Sequence, residues 1–567
     1  MNRKEFLLVL LLFTFSMFFR CVGLEKSPPS INFDEASLGY NAYSILKTGK
    51  DEYGNFLPIS LRSFNDYKPA LYAYISIPFI WLMDLNETST RLPSALMGSV
   101  SIVFLYLIAK KFVKKRWLIW VMFLVSLQPW RLHYSRVAFE SNVSMAFFTM
   151  GMYGWLNFKK GWKWLVFSAI SFILSIYSYH GARLAVPVFL ALSLLDPIKI
   201  LFKKNISFKL IIFSVFKNKK VLLMLAIIIF SYVPIFIESS KVLTRFNQTS
   251  VFTENFPYVS REMVDNYGLL IKPLVMGYHL LGIMFGHLIS ILSPSNLGLS
   301  IFDWVEKSPM VISGMGMMGF IESLLVIIGV FIVFKGIKQF RNRSIVYWLV
   351  ASTTPVALTL NWYHPLRSLN AFPVIDLLLI LALSCLLSSL LSLFSKKLFR
   401  FVLITGVVTL FTINSIYVVN NELIYSPWTT HGQFQPGAFK EGAMKVKEIE
   451  GSYDKVYVDT SHAQSYVFFW FYQKRDPVEV QSYADLRPAP GENGKFNEPN
   501  LIFDFGKYVY KKYDWLKDRN SNESFIYWVS GDVKKDEIEA WEGATYTGVP
   551  NILYDDAAVI ITKEKYE

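Results

Sequence analysis

The chain has 567 residues, of which 53% are hydrophobic and 18% are charged. Soluble proteins usually carry about 25% charged residues, so this composition excludes a disordered or collagen-like chain and indicates a membrane protein. Two cysteines are too few for a disulfide scaffold, and both lie in apolar runs. The net charge of +14 is a value that nucleic-acid-binding proteins share, but the distribution of the charge argues against nucleic acid.

Basic residues cluster in short segments between apolar runs. These segments lie at 3–4, 110–116, 159–163, 199–220, 335–343 and 396–400. Short basic loops beside apolar helices are typical of the cytoplasmic side of multi-pass membrane proteins. The first apolar run lacks a small-residue cleavage site, so we expect an uncleaved anchor with a cytoplasmic N-terminus.

A membrane-spanning helix needs about 20 predominantly apolar residues. The chain contains eleven candidate spans, near 5–24, 92–112, 117–132, 137–158, 162–179, 183–201, 221–237, 311–334, 345–362, 369–395 and 399–420. An odd count places the C-terminus on the extracytoplasmic side and every basic segment on the cytoplasmic side. The apolar stretches 70–83 and 274–292 would break this pattern as spans, so we interpret them as interfacial or re-entrant helices.

Three regions are then extracytoplasmic: loop 25–91, loop 238–310 and the tail 421–567. The tail turns polar and alternates strand-like runs (455–459, 501–505, 525–529 and 557–561) with helix-like runs (439–449 and 463–472). This pattern predicts a small α/β domain. The predicted fold is therefore a polytopic α-helical membrane domain over 1–420, followed by an extracytoplasmic α/β domain over 421–567.

Charged residues recur at the extracytoplasmic ends of the spans, where the positive-inside pattern should deplete cations. The first loop begins with Pro28 and Pro29 and then carries Asp34 and Glu35, which a helix cap alone would also explain. Singly, each arginine or lysine is explained by anchoring at the interface. Their recurrence indicates an anionic ligand at the outer leaflet. The cationic candidates are Lys68, Arg91, Arg136, Arg183 and Arg367, with Tyr67 and His364 as neighbouring substrate-binding candidates.

The order of motifs in the first third of the chain resembles a known family. The motifs are Pro28-Pro29, Asp34-Glu35-Ala36, Gly39-Tyr40-Asn41-Ala42, Thr48-Gly49-Lys50-Asp51, Tyr67-Lys68-Pro69 and Arg91-Leu92-Pro93-Ser94. This set resembles the lipid-phosphate-sugar-dependent glycosyltransferases of the C-type fold, and most closely the family 39 group. That group includes protein O-mannosyltransferases and lipid A aminoarabinose transferases. The resemblance is carried mainly by residues 1–185.

The resemblance implies roles for particular residues. Asp34 matches the acidic residue that activates the acceptor, with Glu35 beside it, and Lys68 matches the lysine that approaches the carrier phosphate. The family motif has a second proline where this chain has Ala70. Arg136 and Glu140 match an Arg…Asp pair at the start of a span, so Glu140 is a third catalytic candidate. We find no Asp-x-Asp pair at a comparable position before the tail, and we expect that a divalent metal is possible but not required.

This assignment agrees with the chemistry of the reaction. A phosphate-linked sugar already has a good leaving group, so it needs cations to stabilise the departing charge. The acceptor hydroxyl needs a general base, and one carboxylate suffices for an inverting displacement. Retention of configuration would need a second carboxylate as nucleophile, about 5–5.5 Å away in glycosidases, and Glu140 is the candidate for that role.

Three alternatives remain at this point. A lipid-linked sugar transporter would carry charged residues at mid-membrane and usually internal symmetry. Here Glu322 and Asp376 are the main acids within spans, no partner for either is evident, and no repeat is found. A polytopic glycan polymerase or ligase would share the outer arginines, and a binding scaffold would need neither Asp34 nor Lys68. Under the favoured interpretation the partners are a polyprenyl-phosphate-linked sugar donor and an acceptor protein, lipid or glycan.

Overall fold

The structure is a computed structural model of the chain. It describes residues 2–64, 66–113, 117–198, 219–238, 277–278, 281–282, 285–286, 289–298, 312, 315–359, 364–393, 397–425, 438–461, 464–486, 503–530, 533–550 and 557–565. The chain divides into two compact units. The helical unit comprises residues 1–22, 94–135 and 139–420, and the mixed unit comprises residues 23–93, 136–138 and 421–567.

Most of the described chain is helical. In chain order the α-helices are α1 Arg3–Cys21, α2 Phe33–Thr48, α3 Leu71–Met83, α4 Glu87–Ala109, α5 Leu118–Val125, α6 Pro129–Arg136, α7 Glu140–Trp155, α8 Trp162–Ser178, α9 His180–Leu195, α10 Lys219–Ser231, α11 Val233–Ile237, α12 Pro294–Gly298, α13 Phe320–Lys335, α14 Phe340–Ala357, α15 Phe372–Leu393, α16 Lys397–Asn420, α17 Phe439–Ile449, α18 Ser465–Gln473, α19 Pro477–Ser482, α20 Trp515–Asp518 and α21 Lys535–Glu539. A 3₁₀ turn at Pro365–Ala371 precedes α15, and a π turn at Asn421–Tyr425 follows α16.

Three helical segments among the described residues are long and apolar enough to cross a membrane: Glu87–Ala109, Pro365–Ser392 and Leu398–Tyr425. Shorter apolar helices occur at Leu71–Met83, Trp162–Ser178, His180–Leu195 and Val221–Ile237. The predicted combination of a helical membrane part and a C-terminal sheet domain is therefore present. The count of eleven spans remains a prediction.

Two predicted spans are interrupted at prolines. The span predicted at 117–132 is divided, because α5 ends at Val125 and α6 begins at Pro129. Proline has no backbone N–H to donate into a preceding turn but fits the first turn of a new helix. The span predicted at 221–237 divides in the same way before Pro234, which lies in the first turn of α11.

The helical unit contains a buried ion pair that the sequence did not reveal. Arg131 Nε of α6 lies 2.6 Å from Asp376 Oδ2 of α15, and both side chains are buried. Trp130 donates its indole N–H to the same carboxylate, and a second guanidinium nitrogen of Arg131 donates to Ser101 Oγ at 3.1 Å. Removing one partner of a buried pair leaves an uncompensated charge, so this pair fixes α6 against α15.

The mixed unit contains a hairpin and a six-stranded sheet. The hairpin pairs β1 Ser60–Ser63 with β2 Asp66–Pro69 in antiparallel register. The sheet strands are β3 Lys455–Asp459, β4 Phe503–Phe505, β5 Tyr508–Lys511, β6 Phe525–Val529, β7 Ala544–Val549 and β8 Ala558–Lys563. Their order is β4-β5-β3-β6-β8-β7, with β5, β3 and β6 mutually parallel and the outer pairings antiparallel.

The strands predicted at 455–459 and 525–529 and the helix predicted at 439–449 have the predicted bounds. Both faces of this sheet are covered by apolar side chains. Tyr457 and Tyr527 face a cluster that includes Trp515. On the other face, Trp528 packs against Phe439 of α17, with ring centroids 4.5 Å apart. The sheet therefore has a hydrophobic core of its own within the mixed unit.

Candidate active site

The start of α2 is fixed by its own sequence. Asn32 caps the helix by accepting the backbone N–H of Glu35 at 2.9 Å, and Glu35 accepts the backbone N–H of Asn32 at 3.1 Å. Such a reciprocal capping box satisfies two backbone donors that a helix start leaves without intrahelical partners. Asp34 lies between the two capping residues, so its position is set by the cap. This local geometry gives the adjacent acids Asp34 and Glu35 different surroundings.

Glu35 is fully buried against Arg91 of α4. The two carboxylate oxygens accept from Arg91 Nε at 2.9 Å and from Arg91 Nη2 at 3.0 Å, a bidentate pair in which neither side chain is exposed. The backbone N–H of Ala138 donates to Glu35 Oε1 at 2.7 Å. Glu35 therefore joins three separate segments of the mixed unit.

All five N–H groups of Arg91 are used within the protein. Beyond the two bonds to Glu35, Arg91 donates to the carbonyls of Leu24 at 2.9 Å, of Pro28 at 2.8 Å and of Ser30. A guanidinium with every donor occupied has none left for a carrier phosphate. This geometry favours a positioning role for Arg91 and Glu35 over the phosphate-binding and catalytic roles predicted for them.

Asp34 and Lys68 form an ion pair at the surface of the mixed unit. The Asp34 side chain is 44% exposed and the Lys68 side chain 13% exposed. Lys68 comes from β2, where it lies opposite Leu61 of β1. Its ammonium lies 5.3 Å from the centre of the Phe64 ring, in the turn of the hairpin. Asp34 and Lys68 are 34 residues apart in the sequence, and the fold brings these two predicted site residues into contact.

Tyr67 precedes Lys68 on β2 and pairs across the hairpin with Arg62. Because successive residues of a strand point to opposite faces, the Tyr67 side chain leaves the hairpin on the face away from Lys68. The hairpin therefore does not place Tyr67 beside the Asp34–Lys68 pair, and its predicted substrate contact remains a prediction.

Arg136 is buried and has a partner that the sequence did not predict. It donates to the carbonyls of Ser27 at 2.7 Å and Gly23 at 3.0 Å, and its Nε lies 3.6 Å from Glu422 Oε1. The Ser27 hydroxyl donates to the backbone carbonyl of Glu422. The available signal was an isolated acid directly after the last predicted span, at the same predicted membrane face as Arg136.

The remaining candidates belong to the helical unit. Glu140 is the first residue of α7. Arg183 lies one turn into α9, where its Nη1 is 3.2 Å from His180 Nδ1. Arg367 and His364 belong to the 3₁₀ turn before α15 and its cap, and the backbone N–H of Arg367 donates to the carbonyl of His364.

Two further expectations concern the outer loop 238–310 and a bound metal ion. Most of loop 238–310, including His279 and His287, lies outside the described ranges. Across the part of the chain that the structure describes, no three histidine, cysteine or acidic side chains are grouped so that they could hold a metal ion. Metal independence remains a prediction.

Comparisons with known proteins agree with the motifs. Residues 67–219 match the family model described as dolichyl-phosphate-mannose-protein mannosyltransferase. The comparison with curated protein sequences finds no match. The matched segment contains Lys68, Arg91, Arg136, Glu140 and Arg183, and it begins after Asp34. The predicted resemblance to lipid-phosphate-sugar glycosyltransferases is confirmed.

The fold is similar to that of ArnT from Cupriavidus metallidurans. The apo structure of that protein is 12% identical, with a TM-score of 0.53 over 98% of this chain and 97% of that chain. The structure of the same protein bound to undecaprenyl phosphate is 11% identical, with a TM-score of 0.53 over 99% and 98% of the two chains. At this level of identity the comparison establishes the fold.

Proposed function

We propose that this chain, a C-type glycosyltransferase by its fold and by the family match over residues 67–219, moves a sugar from a polyprenyl-phosphate carrier to an acceptor hydroxyl. The ion pair between Asp34 and Lys68 carries the proposal. It joins the two groups that such a transfer needs, a carboxylate to accept a proton and a cation to receive a phosphate.

Accessibility distinguishes this pair from its neighbours. Three of the predicted site cations lie in the mixed unit, and each faces a carboxylate: Lys68 faces Asp34, Arg91 faces Glu35 and Arg136 faces Glu422. The two arginine pairs are fully buried, whereas the lysine pair is partly exposed through the Asp34 side chain. A carrier phosphate that binds at this surface therefore competes with Asp34 for the ammonium of Lys68.

The proposed reaction begins when the carrier phosphate replaces Asp34 as the partner of Lys68. Lys68 takes the carrier phosphate and balances the charge that develops on the leaving oxygen. Asp34 accepts the proton of the acceptor hydroxyl while that oxygen forms a bond to the anomeric carbon. The bond between the anomeric carbon and the phosphate oxygen breaks, and the polyprenyl phosphate leaves with its electron pair. One carboxylate in this role gives inversion of configuration.

The carrier is supported by the similarity to ArnT, a structure of which contains undecaprenyl phosphate. We place the reaction on the extracytoplasmic side, with the N-terminus cytoplasmic, eleven spans and the domain 421–567 outside. The acceptor is a protein, lipid or glycan, and no metal is required. A retaining reaction through Glu140 is the mechanistic alternative, and a polymerase, ligase or transporter is the functional one.

A direct assay tests the proposal. The full-length protein in detergent is incubated with polyprenyl-phosphate sugars that differ in the sugar, with and without EDTA, and release of polyprenyl phosphate is measured. We expect release that depends on an added hydroxyl acceptor and survives chelation. Transport of an intact lipid-linked sugar in proteoliposomes, without release of polyprenyl phosphate, would instead identify a transporter.

A further inference from the structure

The tail domain lies directly along the helix that carries Asp34. The ring of Tyr40 in α2 lies 5.7 Å from that of Trp470 in α18, and the Tyr40 hydroxyl donates to the carbonyl of Arg475 at 3.0 Å. Gly39 of α2 faces both Phe471 of α18 and Thr90 of α4, and a Cβ atom built on Gly39 would lie 2.7 Å from Phe471 Cε2 and 2.6 Å from Thr90 Oγ1. Real Cβ atoms do not approach other heavy atoms this closely. Helix α2 is therefore packed against both helices at a distance that only glycine allows.

Both ends of α2 are also bonded to the tail. Before its first turn, the Ser30 hydroxyl lies 3.0 Å from the hydroxyl of Tyr472. Burial raises the pKa of Tyr472 well above its usual value, so the phenol stays neutral and keeps its proton for hydrogen bonding. At the other end, the Gln481 side-chain amide of α19 lies 2.9 Å from Thr48 Oγ1 and 3.0 Å from the carbonyl of Asp51.

Ion pairs flank the same contact. Lys440 of α17 lies 2.6 Å from the nearly buried carboxylate of Glu87, at the start of α4. Lys474, directly after α18, pairs with Asp84, before α4. Each pair joins a tail cation to an acid of the first loop. The contact therefore has a packed centre and charged, complementary edges.

From these contacts we infer that α18 and α19 form a brace that positions Asp34, so that the tail domain is part of the catalytic apparatus. The inference rests on the proposed function, because it assigns the tail a role at that site. The capping box fixes the backbone at the start of α2, and the brace fixes the position of the whole helix. Displacement of a reacting group by about 1 Å can cost about 10²-fold in rate, so a small shift of α2 is sufficient to impair turnover.

Gly39→Ala and Gln481→Leu test the inference in the full-length protein. The matched controls are Gly451→Ala, at a glycine of the same domain where an added Cβ would have nothing within 4 Å, and Ser482→Ala, whose hydroxyl bonds within α19 to the carbonyl of Glu479. Turnover, the KM for donor, thermal stability and amide hydrogen exchange over residues 33–48 are measured for each.

We expect the two brace variants to lower kcat by about 10- to 100-fold while the donor KM changes less than about twofold, and to accelerate exchange over 33–48. The controls should match the parent in every readout. Unchanged exchange and unchanged kcat in both brace variants would overturn the inference. Faster exchange in the brace variants of a protein that shows no transferase activity would retain the brace and reject the proposed function, because exchange does not depend on catalysis.

Discussion

Asp34 and Glu35 are adjacent in the chain but occupy opposite environments. Asp34 is 44% exposed and pairs with Lys68, whereas Glu35 is fully buried and bidentate to Arg91. An exposed carboxylate can exchange its partner for a substrate, and a buried bidentate carboxylate cannot do so without a large cost. The two acids should therefore respond differently to the same substitution.

Asp34→Asn should abolish most turnover and leave the fold intact. Asparagine keeps the shape of the side chain but cannot accept the acceptor proton, and general-base help is typically worth about 10²–10⁴-fold. We expect turnover to fall by at least about 10²-fold, with donor binding as tight as in the parent or tighter, because the Asp34 charge no longer competes for Lys68. Steady-state assays and donor titration measure this, with exposed Glu25→Gln of the same loop as control. Parental activity in Asp34→Asn would move the base to Glu35 or Glu140.

Glu35→Gln should mainly reduce stability. The substitution removes the charge that compensates fully buried Arg91, and breaking a buried pair typically costs about 3–5 kcal/mol. We expect a clearly lower free energy of unfolding, measured by denaturation in detergent, whereas Asp34→Asn on the same helix should lie close to the parent. A stable Glu35→Gln protein with turnover as low as that of Asp34→Asn would instead support a direct catalytic role for Glu35.

Lys68→Met should weaken the use of the donor. The substitution keeps much of the side-chain volume but removes the ammonium that pairs with Asp34 and that we assign to the phosphate. We expect a higher donor KM and a lower kcat, with little change in stability, because partly exposed ion pairs contribute about 0–1 kcal/mol. Exposed Lys26→Met is the control. Donor kinetics equal to those of the parent would remove Lys68 from the phosphate site.

The predicted topology is tested by cysteine labelling. In a variant without Cys21 and Cys385, a cysteine introduced at Ser482 of the tail should react with an impermeant maleimide added to intact cells. A cysteine at Asn205, within a basic segment, should react only after the membrane is permeabilised. The opposite pattern would place the proposed site on the cytoplasmic side.

The contribution of Asp84 to the stability of the folded protein should decrease at acidic pH. The hydrogen bond from Lys474 holds the pKa of Asp84 below its usual value of 3.8. A carboxylate with a lowered pKa in the folded state stabilises the protein above its unfolded pKa, and the effect is lost as the pH falls through the folded value. The difference in melting temperature between the parent and Asp84→Asn should thus be constant from about pH 5.5 to 8 and shrink below about pH 4. A difference that changes around pH 7 would indicate another group.

Local sequence patterns predicted the secondary structure well, whereas contacts between segments distant in the sequence could not be predicted from them. The alternation at 455–459 and 525–529 gave strands with the correct bounds, because period and local propensity agree there. Lys68 was identified by its motif. The pairing of Arg131 with Asp376, and that of Arg136 with Glu422, depend on how helices pack, which hydropathy does not encode. The burial of Arg91 was missed for a related reason, since its partners are mainly backbone carbonyls, which every sequence contains.

The pairing of Arg136 with Glu422 also bears on biogenesis. The arginine is synthesised 286 residues (136 to 422) before its counterion. At about 5–20 residues per second, the synthesis of Glu422 follows that of Arg136 by about 15–60 s. During this interval the carbonyls of Gly23 and Ser27, made earlier, are available to hold the guanidinium. A nascent chain truncated before residue 421 therefore lacks the carboxylate that lies 3.6 Å from this guanidinium in the folded protein.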